Sequence, residues 1–173
     1  MNESSMINKM RKAAAGAILF CSILSGCSGM NENSADAPVR ASSEVQDEVE
    51  NISSSILEIL SLKAKMTEAG AMISPCEEGT YRAHHPWGVY GPPAKDLGEA
   101  MNRLRSQLPK NGWKIVKDGP DDSQGKSPQI VADSADGKFS VDARFHDRQS
   151  DDPAQLEITV QSACFRPESE STE

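Results

Sequence analysis

The stretch "YRAHHPWGVY", Tyr81 to Tyr90, holds two of the chain's 3 histidines beside a tryptophan and two tyrosines. Imidazoles ligate metals and move protons near neutral pH. Aromatic rings suit the faces of sugars and peptides, so Tyr81, His84, Trp87 and Tyr90 are candidate ligand-binding residues. Core packing is the competing use of Trp87. Adjacent residues of a strand face opposite sides, so His84 and His85 cannot both hold one metal ion. His146 would join His84 only if both face solvent, leaving two ligands and an Asp at most. The expectation is one core histidine, one surface histidine, and neither a metal nor another cofactor.

Other stretches carry less chemistry. "GPDDSQGKS", Gly119 to Ser127, is one residue too long between its glycines for a phosphate loop. Pro128 and a strand follow, where a helix N-terminus would be needed to supply amide donors. Asp121 and Asp122 would repel phosphate, so this reads as a surface hairpin loop. "DSADGK", Asp133 to Lys138, lacks the alternating acids and distal Glu of a calcium loop and reads as a turn. Asp151-Asp152 before Pro153 reads the same way. No GxSxG elbow occurs, and no catalytic residue is assigned.

The remaining chemistry lies in the 4 cysteines, Cys21, Cys27, Cys76 and Cys164. Residues 1–12 carry Lys9, Arg11 and Lys12 against Glu3 alone, and no charge follows from Ala13 to Gly26. A basic start and then an apolar run is the pattern of a secretory signal. As a helix the run is roughly 21 Å long, short of the ~30 Å hydrocarbon core. It ends in Leu24-Ser25-Gly26-Cys27, which resembles the lipobox of bacterial lipoproteins. That resemblance implies cleavage between Gly26 and Cys27 and a diacylglyceryl group on the Cys27 sulfur. Two acyl chains anchor stably where one does not. Cys21 follows the bulky Phe20 and fails the same test. The chain is thus expected to sit on the cell membrane's extracytoplasmic face, with membrane lipid as its first partner.

Loss of residues 1–26 removes three basic residues and one acid, taking the formal charge from −8 to −10. Such a chain is no nucleic-acid binder, which needs a basic face for phosphates. Residues 27–43 are polar and without period and read as a flexible tether of roughly 20–24 Å typical reach; residues 166–173 read as a disordered acidic tail. The domain is expected over residues 44–165. After export, Cys76 and Cys164 form an even pair in an oxidising compartment and read as one disulfide.

Positioning elements follow from periodicity. Val45, Val49, Ile52, Ile56, Ile59, Leu62 and Met66 recur at steps of four and three, predicting a long helix with Ser43 as N-cap and Gly70 as its stop. Its apolar stripe packs on its own domain or docks on a partner or a second copy. A strand over about 79–90 carries Pro86, which marks an edge or a bulge. Pro92-Pro93 opens a second helix over 94–108, with Leu97, Met101, Leu104 and Leu108 on one side, before the Asn111-Gly112 turn pair. Four strands follow, 113–117, 129–133, 138–146 and 156–165, the third led by an Asp136-Gly137 turn. Each has one apolar face, and Cys164 falls on the core side of the last. The predicted fold is α+β: a mostly antiparallel sheet of about five strands with two helices on one face, closed by the single disulfide.

Cys76, the Trp87-Gly88-Val89-Tyr90-Gly91-Pro92-Pro93 segment, helix 94–108, Gly112 to Val116 and Ser162 to Cys164 resemble small secreted lipoproteins of actinobacteria. That likeness implies an extracytoplasmic lipoprotein and supplies no catalytic residues. The expected role is a non-catalytic binding or interaction module of the cell envelope, whose partner is an envelope protein or a small ligand. The alternative is a cell-envelope hydrolase or metal-dependent enzyme centred on His84, His85 and Trp87.

Overall fold

The computed structural model describes residues 37–67, 70–147 and 153–168. The expected signal, the Gly26–Cys27 cleavage and lipidation site, most of the tether, Asp151-Asp152 and residues 169–173 lie outside the described residues.

The architecture is α+β, with two helices and a seven-stranded antiparallel sheet. In chain order the elements are β1 (Val39–Arg40), α1 (Ser42–Leu60), β2 (Lys65–Met66), β3 (Met72–Pro75), β4 (Tyr81–Tyr90), α2 (Ala94–Gln107), β5 (Trp113–Pro120), β6 (Pro128–Ser134), β7 (Phe139–His146), β8 (Gln155–Ser162) and β9 (Arg166–Pro167). The sheet order is β2-β4-β8-β7-β6-β5, with β3 beside β2 against β4. The last four strands form a meander, and β4 joins it by pairing with β8.

The four strands expected after α2 appear within a few residues of their expected limits, because period-2 alternation is a strong local signal. On β7, Phe139, Val141 and Ala143 are buried; on β8, Leu156, Ile158, Val160 and Ser162. These side chains meet Val45, Val49, Ile56 and Leu60 of α1 and Leu97, Ala100, Met101 and Leu104 of α2 in one core. Helix α2 runs from Ala94 to Gln107, after Pro93, and then tightens into a 3-10 turn over Leu108–Asn111. Gly112 follows at φ 82°, a left-handed conformation suited to glycine.

The sheet has seven strands rather than about five. The two additional strands, β2 and β3, hold two and four residues, too few to display a period. Both pair with the outer edge of β4. Helix α1 is also shorter than its apolar stripe. It starts after Ala41, whose carbonyl accepts from Val45 N–H, so Ser43 lies in the first turn and is not the N-cap. It ends at Leu60, with Ser61 left-handed, so Leu62 and Met66 leave the helix. Arg103 of α2 donates from Nε (2.8 Å) and Nη2 (2.6 Å) to the Leu60 carbonyl, meeting an acceptor that the helix end leaves open.

The tether and tail readings need a matching correction at their inner ends. Val39–Arg40 and Arg166–Pro167 pair in parallel, outside the main sheet. Arg166 donates from its backbone to the Pro38 carbonyl and from Nε to the Ala37 carbonyl. The Arg40 guanidinium lies 5.4 Å from the Phe165 ring centroid, and Tyr81 Oη donates to the Arg40 carbonyl. Two polar ends far apart in sequence are thus held by each other.

Cys76 and Cys164 form the expected disulfide, with their Cα atoms 6.3 Å apart across a separation of 88 residues. It lies beside Phe165, which is buried and bridges to Tyr81. Pro86 fits β4 for a local reason. Gly88 donates to Thr67 Oγ1 and accepts from Thr67 N–H on the outer side of β4. Backbone groups two residues apart point the same way, so the N–H that Pro86 lacks would face the opening between β2 and β3.

One surface contact between helix and sheet sets a pH dependence. Arg105 of α2 donates from Nε and Nη2 to the Asp118 carboxylate of β5, which holds that carboxyl below its usual pKa. A folded-state pKa below the unfolded ~3.9 gives stability that is present above that value and lost as pH falls through the folded one. Both side chains are more than a third exposed, so screening leaves less than about 1 kcal/mol. Asp118→Asn is therefore expected to lower the urea midpoint slightly at pH 7 and to match the parent at pH 2. A gap unchanged at pH 2 would contradict the pairing.

Candidate functional site

Strand β4 sorts its side chains by parity. Tyr81, Ala83, His85, Trp87 and Val89 face the helices, while Arg82, His84, Pro86, Gly88 and Tyr90 occupy the other face. The two histidines point apart, as the alternation requires. Tyr81, His84, Trp87 and Tyr90 therefore do not line one groove. Tyr81 is tied to Arg40 and packs at 6.4 Å on Phe165, and burial raises its phenol pKa. Tyr90 is 37% exposed near Lys63, Lys65 and the Pro92-Pro93 turn.

His85 and Trp87 do come together, their ring centroids 6.4 Å apart, against α1. With Ser53, Ser54, Leu57, Met66 and Thr67 they bound a cavity of about 140 Å³. Ser53 Oγ donates to the Val49 carbonyl and lies 2.9 Å from His85 Nδ1. A serine nucleophile must hand its proton to the histidine. Here Ser53 is buried and its hydroxyl also meets a helix carbonyl, so the pair fastens α1 to β4. The Trp87 indole nitrogen is buried and has no hydrogen-bond partner among the described residues, a polar cost placed beside this cavity.

The open face of the sheet is polar rather than aromatic. Ser140, Asp142, Arg144 and His146 of β7 lie beside Glu157, Thr159 and Gln161 of β8. Asp142 accepts from Arg144 Nη2 at 2.7 Å and from Gln129 Nε2 at 2.8 Å. His84 and His146 share this face but not a neighbourhood. His84 stands in one row with Gln161 and Ser140, and His146 is six residues further along β7. At ~3.3 Å per residue that is roughly 20 Å, too far for a shared ion. His84 Nδ1 lies 3.2 Å from Ser74 Oγ, and His146 lies between Ser127 Oγ (3.2 Å) and Glu157 (3.1 Å). Among the described residues no three His, Cys, Asp or Glu side chains converge as a metal set.

The loop between β5 and β6 is closed by Asp121 N–H donating to the Ser127 carbonyl. The Asp121 carboxylate accepts from the Ser123 hydroxyl and N–H, which hold its pKa down. This is a self-satisfied turn, consistent with the hairpin reading.

A larger concavity lies elsewhere, in a feature that the sequence did not single out. A groove of about 680 Å³ runs between α1 and α2 and ends at Trp113 on β5. Ile52, Ile56 and Ile59 line it from α1, and Glu48, Asn51, Ser55 and Glu58 edge it. Arg103, Gln107 and Asn111 edge the other side. Ile56 is buried, while Ile52, Ile59 and Trp113 are only partly covered. The signal for this groove was the width of the α1 stripe: Ile52 and Ile59 flank the line Val45-Val49-Ser53-Ile56-Leu60 that meets the core. In comparisons with protein-family models, curated proteins and solved structures, the chain matches none.

Proposed function

We propose that the protein is an extracytoplasmic lipoprotein, held to the cell membrane through a diacylglyceryl group on Cys27 and carrying a non-catalytic binding domain. The observation that carries this reading is the Cys76–Cys164 disulfide downstream of Leu24-Ser25-Gly26-Cys27. Disulfides persist in oxidising compartments outside the cytoplasm, which is where a lipobox would send the chain. The actinobacterial resemblance of residues 75–165 points the same way. Among the described residues no helix is long and apolar enough to cross a membrane, so a lipid is the attachment this reading invokes.

Binding is favoured over catalysis by the way the candidate groups are used. His84 and His85 each meet a serine, on opposite faces of β4, and Ser53 is buried with its hydroxyl also against the Val49 carbonyl. Among the described residues no nucleophile and base are set toward one open reacting position.

The anchor is tested by metabolic labelling with a radiolabelled fatty acid in a lipoprotein-processing bacterial host. The parent chain is expected to take up label and to fractionate with membranes, and Cys27→Ser to take up none. Equal labelling of the two chains, or none in the parent, would remove the anchor from this account.

A further inference from the structure

We infer that the groove between α1 and α2 is a binding site for a neutral oligosaccharide, with Trp113 as its stacking platform. The inference rests on the reading of the domain as an envelope binding module and gives that module a ligand class.

The lining chemistry selects the ligand. Trp113 lines the groove and is only partly covered, so part of its side chain meets whatever fills the space. An indole offers a broad apolar face to the C–H side of a sugar ring. Around it stand planar or forked polar groups: the carboxylate of Glu48, the amides of Asn51, Gln107 and Asn111, and the guanidinium of Arg103. Groups of this shape carry paired donors or acceptors, which match neighbouring hydroxyls on one ring. A lipid tail would offer no partner to the Asn51 and Gln107 amides or to the remaining polar atoms of Glu48, Arg103 and Asn111. A polyanion would meet Glu48 and Glu58 against a single cation, Arg103. The volume of about 680 Å³ falls within the ~300–1,000 Å³ of small-molecule sites.

Three of the polar groups are already held in place. Arg103 spends Nε and Nη2 on the Leu60 carbonyl. Glu48 accepts from Arg40 with one oxygen, and Asn111 donates from Nδ2 to the Gln107 carbonyl. Side chains ordered before the ligand arrives lose less entropy when it binds. Helix α1 lays Glu48, Asn51, Ser55 and Glu58 along ~15 Å of groove. That is a length for a short chain of sugars rather than one ring.

The test is calorimetric titration of the full chain, solubilised in a detergent without a sugar headgroup, with cellotriose, xylotriose, mannotriose and chitotriose. Binding of at least one is expected, weakened roughly tenfold or more in Asn51→Ala and in Trp113→Ala. Asn51 is exposed, so its variant keeps the test decisive if Trp113→Ala fails to fold. Hydrogen exchange should slow within residues 48–59 and 103–113 when sugar is bound. No heat from any of the four sugars, affinity unchanged in Asn51→Ala, or protection confined to the open face of the sheet would each overturn the assignment. Loss of the Cys27 anchor reading would leave these measurements unaffected, so the two failures are distinguishable.

Discussion

Replacing Cys76 and Cys164 together by serine is expected to lower stability by about 4 kcal/mol. The bond closes a loop across a separation of 88 residues, for which the chain-entropy relation gives roughly 4–5 kcal/mol, with measured values commonly nearer 2–4. A second effect is local. The bond sits beside Phe165, which links Tyr81 of β4 to the β1–β9 pair through backbone hydrogen bonds of 2.7 and 2.8 Å. A pair of two-residue strands has little stability of its own. Amides of Val39, Arg40, Ala41, Phe165 and Arg166 should therefore exchange faster in the variant even under conditions where β7 and β8 stay protected. Urea denaturation gives the global number and hydrogen exchange the local one. A loss under 1 kcal/mol with unchanged exchange at Phe165 and Arg166 would show that the bond secures neither.

Ile158→Ala is expected to cost 2–5 kcal/mol, in the range for a buried isoleucine cut to alanine. Ile158 is fully buried on β8, directly between Trp87 of β4 and Ala143 of β7. The removed atoms leave a cavity that neither neighbour can fill readily. Alanine is already small, and Trp87 is packed against His85 and α1. Val116→Ala is the matched control. Val116 is 51% exposed at the bulge of β5, where the register with β6 shifts, and its truncation should change stability by less than ~0.5 kcal/mol. Equal urea midpoints for Ile158→Ala and the parent would mean that β8 is not the centre of the core.

The meander was legible because each of its strands is long enough to show its period. Phe139, Val141 and Ala143 alternate with Ser140, Asp142 and Arg144, and the sheet buries the first set. Helix α2 was legible at both ends, since Pro92-Pro93 and Asn111-Gly112 restrict the backbone locally. The opposite orientation of His84 and His85 followed from strand geometry alone. The bond partners of those histidines did not, because Ser53 lies 32 residues from His85 and Ser74 lies 10 from His84. The length of α1 misled for a related reason. Leu62 and Met66 continue the helical spacing, yet Met66 pairs with Val89 of β4 and Arg103 takes the last helix carbonyl.

By itself, then, the sequence determined the α+β class, the polarity of β4 and of the four meander strands, the limits of α2, and the pairing of Cys76 with Cys164. Those features depend on local backbone preference, on burial period, or on an even count of cysteines. Only the tertiary structure decided that β4 carries β2 and β3 on its outer edge and that the chain's two ends pair as β1 and β9. It also set His84 about 20 Å along the sheet from His146 and opened the groove from Glu48 to Trp113. These arrangements join segments far apart in the chain. Each is fixed by which edge, face or carbonyl is left unmet once the core has formed, and no short window of sequence contains that information.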